Sequence, residues 1–189
     1  NVPDGLMVFP GCNVFIESKA GLFDESIMTA GHADIFKSRT ATIAKGIQQG
    51  RAASFGMRQS ATAPLEVKAA EQDYLLIVTN KELGAGNGKR LLEMYPRSGR
   101  DKEEMSDQFM PLECIYVLSI EDFERLAAAC RNSHLDMTTF LGDSVACDAD
   151  PIRSVFYFEQ HLNRANAPRA ASDLVLAANE SAFARLGSS

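Results

Sequence analysis

No apolar run in this 189-residue chain approaches the ~20 residues needed to cross a bilayer, and the N-terminus lacks the charged-then-apolar order of a signal peptide. The expected setting is a soluble, cytoplasmic protein with no membrane partner. The cysteines, Cys12, Cys114, Cys130 and Cys147, never fall at CxxC spacing, which argues against a zinc ribbon or a thioredoxin-like site. They read as reduced, buried thiols. Cys130 and His134 are spaced as a metal pair on one helix, but no second pair accompanies them, so packing is the expected role. There is no internal repeat or low-complexity tract. A further absence is local: between Ile35 and Leu65 there is no Asp or Glu, although the formal net charge of the chain is -6. Overall acidity argues against a phosphate-bearing partner, because nucleic acid seeks positive potential. The acid-free stretch reverses that balance locally. It carries Lys37, Arg39, Lys45, Arg51 and Arg58, and exposed helical cations are ordinarily interleaved with acids. A phosphate-facing surface is the expectation.

At 46% hydrophobic content the chain can bury one ordinary core. Gly5 to Phe9 reads as a strand, Pro10-Gly11 as a turn, and Cys12 onward as a second strand in which Val14 and Ile16 alternate with Asn13, Phe15, Glu17 and Lys19. Gly21 to Ala33 reads as a loop containing Asp24, Glu25 and His32. Asp34 is a plausible N-cap for a helix to about Gln59, with Ile35, Phe36, Ile43, Ile47 and Phe55 as its apolar stripe and Gly46, Gly50 and Gly56 as points of close packing or kinking. Tyr74 to Thr79 is a continuous apolar run, as a central strand buried on both faces requires. Glu113 to Ser119 repeats the pattern and leads into a helix over Glu121 to Cys130. Further helices are predicted over Met137 to Leu141, Pro151 to Leu162 and Ala171 to Leu186. The outcome is an α/β core over 1–130 with a helical extension over 131–189.

The chemistry-bearing residues lie in the hairpin. A strand places Glu17 and Lys19 on one face, since side chains alternate with period two, and a turn at Pro10-Gly11 brings Asp4 back beside Glu17. Two carboxylates can hold divalent metal against a phosphate, and a lysine next to them can orient an attacking water. Pro3-Asp4 followed by Glu17-Ser18-Lys19 resembles the signature of the PD-(D/E)XK nuclease superfamily of restriction endonuclease-like, DNA-processing enzymes.

The resemblance implies a mixed sheet flanked by helices. It makes Asp4, Glu17 and the Ser18 carbonyl ligands of Mg2+ or Mn2+, and Lys19 the catalytic lysine. Members often carry a Gln or Lys near the phosphate on the following helix, where Lys45, Gln48 and Gln49 stand, and the resemblance makes Gln48 a further catalytic residue. The implied function is hydrolysis of nucleic acid, DNA in the first instance, in a setting such as restriction or phage defence. The competing reading is a nuclease-fold module that binds without turnover. In that superfamily a helix and a strand usually precede the Asp-bearing strand, so the sequence reads as a segment whose sheet is completed by upstream polypeptide or a partner chain, a homo-oligomer being the alternative arrangement.

Two further motifs carry less. Glu66-Val67-Lys68 repeats the acid-x-Lys spelling but follows Pro64 without a strand pair or partner Asp, and reads as a loop. Gly84-Ala85-Gly86-Asn87-Gly88-Lys89-Arg90 lacks the glycine spacing and hydroxyl of a phosphate-cradling loop. It reads as a turn, with Lys89, Arg90, Arg97 and Arg100 as a second set of backbone-binding charges.

Overall fold

Phe9-Pro10-Gly11-Cys12 turns the chain through two residues. Proline fixes φ at the first corner, and Gly11 takes the positive φ of 89° that the second corner of such a turn demands. The Thr138 hydroxyl fastens the turn from outside by donating to the Pro10 carbonyl at 2.9 Å. The resulting hairpin joins β1 (Gly5–Phe9) to β2 (Cys12–Lys19), with Gly5 opposite Ile16 at its open end. The computed structural model describes residues 3–19, 33–80, 86–94 and 110–169, with backbone alone for 33–40 and 94.

Parallel strands β3 (Gln72–Thr79) and β4 (Ile115–Ser119) extend the sheet in the order β1-β2-β3-β4. The sheet is therefore mixed. Every residue of β3 from Asp73 to Thr79 is buried, as the unbroken apolar run predicts for a strand covered on both faces.

Among the described residues, six helices supply the cover. One face receives α1 (Ala33–Gln59) and the short α2 (Leu65–Ala69). Ile43 and Ile47 of α1 are buried there, and Gly50 lets the helix down onto β3, since a Cβ at this position would stand 2.5 Å from Leu75 Cδ2. Gly46 does the same over Lys19 and Ile77, whereas a Cβ on Gly56 meets nothing within 4 Å, so the predicted close packing holds for two of the three glycines. α3 (Gly88–Met94) lies beside β4. The other face receives α4 (Ile120–Arg131), α5 (Met137–Ala149) and α6 (Phe158–Arg164). Tyr116 of β4 meets the Phe158 ring edge-on at 5.4 Å, and Cys12 of β2 bonds Thr138 of α5 at 3.2 Å.

Several boundaries differ from those read in the sequence. Glu66-Val67-Lys68 belongs to a helical turn, α2, and not to a loop, because Val67 has a buried slot to fill. The helix predicted from Met137 to Leu141 continues to Ala149. The one predicted from Pro151 starts only at Phe158, because the intervening backbone is held elsewhere: Asp148 accepts from Val155 N, and Gln160 accepts from both Phe156 N and Tyr157 N. The helix predicted over 171–186 and residues 21–32 of the predicted loop lie outside the described residues, and the long helix already includes Ala33, so Asp34 is inside it and not its N-cap. No helix among the described residues is long and apolar enough to cross a membrane.

Candidate active site

Parallel strands β2 and β3 end side by side at Lys19 and Thr79, so Glu17, Ser18 and Lys19 occupy the carboxyl end of the parallel sheet, where open α/β sheets place ligands. Asn13, Phe15, Glu17 and Lys19 share the face covered by α1 and α2, as Asn13 reaches the Val67 carbonyl at 2.8 Å and Lys19 reaches Gln49. The β1 ladder stops at Gly5 opposite Ile16, so it does not extend to Ser18. Asp4 fills the gap: its Oδ2 accepts from Ser18 N at 2.7 Å. The N–H and C=O of a strand residue project to the same side, so the Ser18 carbonyl lies on the side of Asp4.

Glu17 is buried at 4% exposure, which an isolated carboxylate does not tolerate. Lys19 Nζ answers it at 2.9 Å from Glu17 Oε2 and is itself steadied by Gln49 Oε1 at 3.2 Å. Asp4, by contrast, is exposed. The structure thus joins Glu17, Lys19 and Gln49 in one bonded set and holds Asp4 against the backbone of the same strand. Gln49 of α1 meets Lys19, and Gln48, the residue expected there, is half-buried and makes an interaction of its own.

The cations expected on α1 divide. Lys45 is exposed, and Lys37 and Arg39 are described by backbone alone. Arg51 is turned inward, buried at 8% exposure, with Nε donating to the Met110 carbonyl at 2.8 Å. Arg58 is likewise committed, gripping both oxygens of the buried Asp73 at 2.7 and 2.6 Å, with Ser54 donating to the same carboxylate. In the second basic set, Lys89 pairs with Glu113 at 2.9 Å and holds that carboxyl below its usual range. Arg90 Nη1 donates to the Val155 carbonyl at 2.9 Å, with its guanidinium 4.9 Å from the Phe156 ring centre. Arg97, Arg100, Asp24, Glu25 and His32 lie outside the described residues. The buried-thiol reading holds for Cys12, Cys114 and Cys147, while Cys130 is only partly buried; burial pushes Cys114 up to about 12 and Cys130 up to about 11, so both are protonated at neutral pH.

A second polar cluster, on the opposite face of the sheet, has no signature in the sequence. Asp148 near the end of α5 lies 3.3 Å from His161 Nε2 of α6 and accepts from Asn87 Nδ2 at 3.4 Å and Val155 N at 3.2 Å. Adjacent Cys147 approaches the carbonyl of Arg153 at 3.2 Å and the guanidinium of Arg164. Donor atoms of Cys147, Asp148 and His161 all fall within 4.8 Å of one another. The Tyr116 ring packs 5.6 Å from that of His161, and its buried hydroxyl has no hydrogen-bond partner among the described residues. Burial first, and then the charge of Asp148, raises its pKa well above the ordinary phenol range. Cys147 and His161 also line a cavity of about 550 Å³ together with Thr139, Asp143, Arg153 and Arg164. An adjacent Cys-Asp and a His thirteen residues on match no spacing rule, and only the packing of α6 on α5 unites them.

No family model, curated protein or solved structure matches this chain.

Proposed function

We propose that the chain is a metal-dependent phosphodiesterase acting on nucleic acid, with DNA as the expected substrate, on a restriction endonuclease-like core. One observation carries the reading: Glu17 and Lys19 stand bonded on one face at the carboxyl end of β2, with Asp4 locked onto the Ser18 amide beside them. The donor set suits the chemistry. Two carboxylates and the Ser18 carbonyl are hard oxygen ligands, as Mg2+ and Mn2+ prefer, and Asp4 is open to solvent. A cation held by Asp4, Glu17 and Ser18 would polarise a phosphate and acidify a bound water.

The protein's own part is positioning and charge. Gln49 and Glu17 fix the Lys19 ammonium from two directions, so that its proton donors are oriented before substrate arrives. Preorganised donors of this kind stabilise charge developing on the phosphate without reorganising during the reaction. Lys45, exposed on the same helix four residues before Gln49, is the described side chain best suited to follow the nucleic-acid backbone.

The test is cleavage of single- and double-stranded DNA and of RNA by the full chain with Mg2+ or Mn2+ and with chelator. Glu17→Gln and Lys19→Met should each lower the rate on the order of a hundredfold or more, with circular dichroism unchanged. If the intact chain cuts none of these substrates with either metal, the enzyme reading fails and a nuclease-fold binding module takes its place.

A further inference from the structure

We propose that Cys147, Asp148 and His161 form a zinc-type metal site, independent of the carboxylates at the end of β2, with one coordination position open to the adjoining cavity. The geometry argues for an ion between these groups. A charge-assisted N–H to carboxylate bond is ordinarily about 2.7–2.9 Å long, yet His161 Nε2 and Asp148 Oδ2 stand 3.3 Å apart. Two ligands each about 2.0–2.1 Å from a tetrahedral zinc are separated by roughly 3.3–3.4 Å. The pair is spaced as neighbouring ligands, and the thiol of Cys147 falls within the same 4.8 Å radius.

Donor type selects the metal. A thiolate, an imidazole and a carboxylate suit a borderline-soft cation such as Zn2+, whereas Mg2+ and Mn2+ prefer oxygen alone. The groups behind the cluster do what outer-shell partners do. Val155 N fixes the Asp148 carboxylate through Oδ1, and Asn87 reaches Oδ2, so the carboxylate is aimed before any ion binds. The Arg164 guanidinium and the Arg153 carbonyl hold Cys147 Sγ in place beside the other two groups. The Tyr116 hydroxyl adds an independent sign: its ring packs 5.6 Å from that of His161, and no group among the described residues satisfies the buried hydroxyl. Buried hydroxyls are seldom left so, and a polar occupant of the cluster would supply the partner. Three protein ligands leave a fourth tetrahedral position, and Cys147 and His161 both face the cavity. An open position of that kind is the arrangement of reactive zinc sites, not structural ones.

The experiment uses the full chain, stripped with chelator and titrated with Zn2+ by calorimetry, then with Co2+ as an optical substitute. Expected are one Zn2+ bound per chain, a thiolate-to-cobalt charge-transfer band, and protection of Cys147 from iodoacetamide by Zn2+, mapped by peptide mass spectrometry. Cys147→Ser should abolish the band, and Cys147→Ser or His161→Asn should weaken binding roughly a hundredfold or more, beyond the cost of disturbing an outer-shell partner. Glu17→Gln should leave all three readouts unchanged, which separates this site from the proposed nuclease site. The proposal is overturned if the wild-type chain binds no Zn2+, if Zn2+ leaves Cys147 alkylation unaltered, or if binding survives Cys147→Ser but not Glu17→Gln. The alkylation arm needs no variant, so it decides even if a substitution unfolds the protein.

Discussion

Gly50 offers the most direct test of how α1 is seated on the sheet. In Gly50→Ala the new Cβ would lie 2.5 Å from Leu75 Cδ2, 2.6 Å from Cδ1 and 3.0 Å from Cγ. Carbon atoms pack at about 3.5–4.0 Å, so the overlap approaches ~1 Å against two methyls at once. Leu75 has no room to yield, being 0% exposed on the central strand. Overpacking of this kind costs about 1–3 kcal/mol, here toward the upper end, while exchanging glycine for alanine inside a helix returns up to about 1 kcal/mol. The net loss is about 2 kcal/mol, or about 4–8 °C in Tm for a chain of this size. Gly56→Ala is the control, because a Cβ there meets nothing within 4 Å. It should stabilise by about 0.5–1 kcal/mol through helix propensity alone. Differential scanning calorimetry reads both. A second variant locates the clash: Leu75→Ala in the Gly50→Ala background should lose less than the sum of the single changes, because atoms that collide are removed together. Equal Tm values for Gly50→Ala and Gly56→Ala, or strict additivity with Leu75→Ala, would refute the close approach.

Two further outcomes follow from the charged residues. Lys45→Glu should weaken nucleic-acid binding and lower the slope of log K against log salt by about 1, whereas Arg51→Glu should unfold the chain, because Arg51 is buried against the Met110 carbonyl; a folded Arg51→Glu protein with a selective binding defect would contradict this placement. Asp136 caps α5, and the Thr139 amide and hydroxyl bonds hold its carboxyl below the usual range. A depressed folded pKa stabilises above the unfolded value, about 3.9, and that contribution disappears as pH falls through the folded value. Asp136→Asn keeps a cap that does not titrate. Its Tm relative to wild type should therefore rise as pH drops from 5 toward 3, and a pH-independent difference would count against the cap.

The hairpin, the two apolar strands and the long helix were legible because each is dictated by near neighbours: a Pro-Gly corner, a period of two, an unbroken apolar run. That Glu17 and Lys19 share a face was legible in the alternation of the strand, whereas the contact of Asp4 with the Ser18 amide lies beyond the end of the β1 ladder. What the residues could not reveal depends on distant chain. Arg51 and Arg58 read as free cations until Met110 and Asp73 arrive from elsewhere to take them. Choosing between Gln48 and Gln49 turns on how α1 is rolled about its axis, which the glycine contacts at Gly46 and Gly50 decide. Phe156 looks like a core residue of a helix, yet it is 53% exposed, because Gln160 holds the amides of Phe156 and Tyr157 outside the helix. The cluster around Asp148 is invisible in the sequence because its members are brought together by helix packing and not by spacing.

The parallel pairing of β2 with β3 has a consequence for the order in which the molecule assembles. Asn13 lies opposite Asp73, sixty residues away, while Phe9 and Cys12 meet across a two-residue turn. Closing the longer loop costs about 3–4 kcal/mol by the (3/2)RT ln n rule before any contact repays it. The hairpin is the cheap step, so Asp4 meets the Ser18 amide early, and Gln49 reaches Lys19 only once α1 has docked. Native-state amide exchange should carry the imprint of that history. The amides of β3, enclosed between β2 and β4 and under helices on both faces, should exchange only through global opening, and those of β1 through far smaller fluctuations.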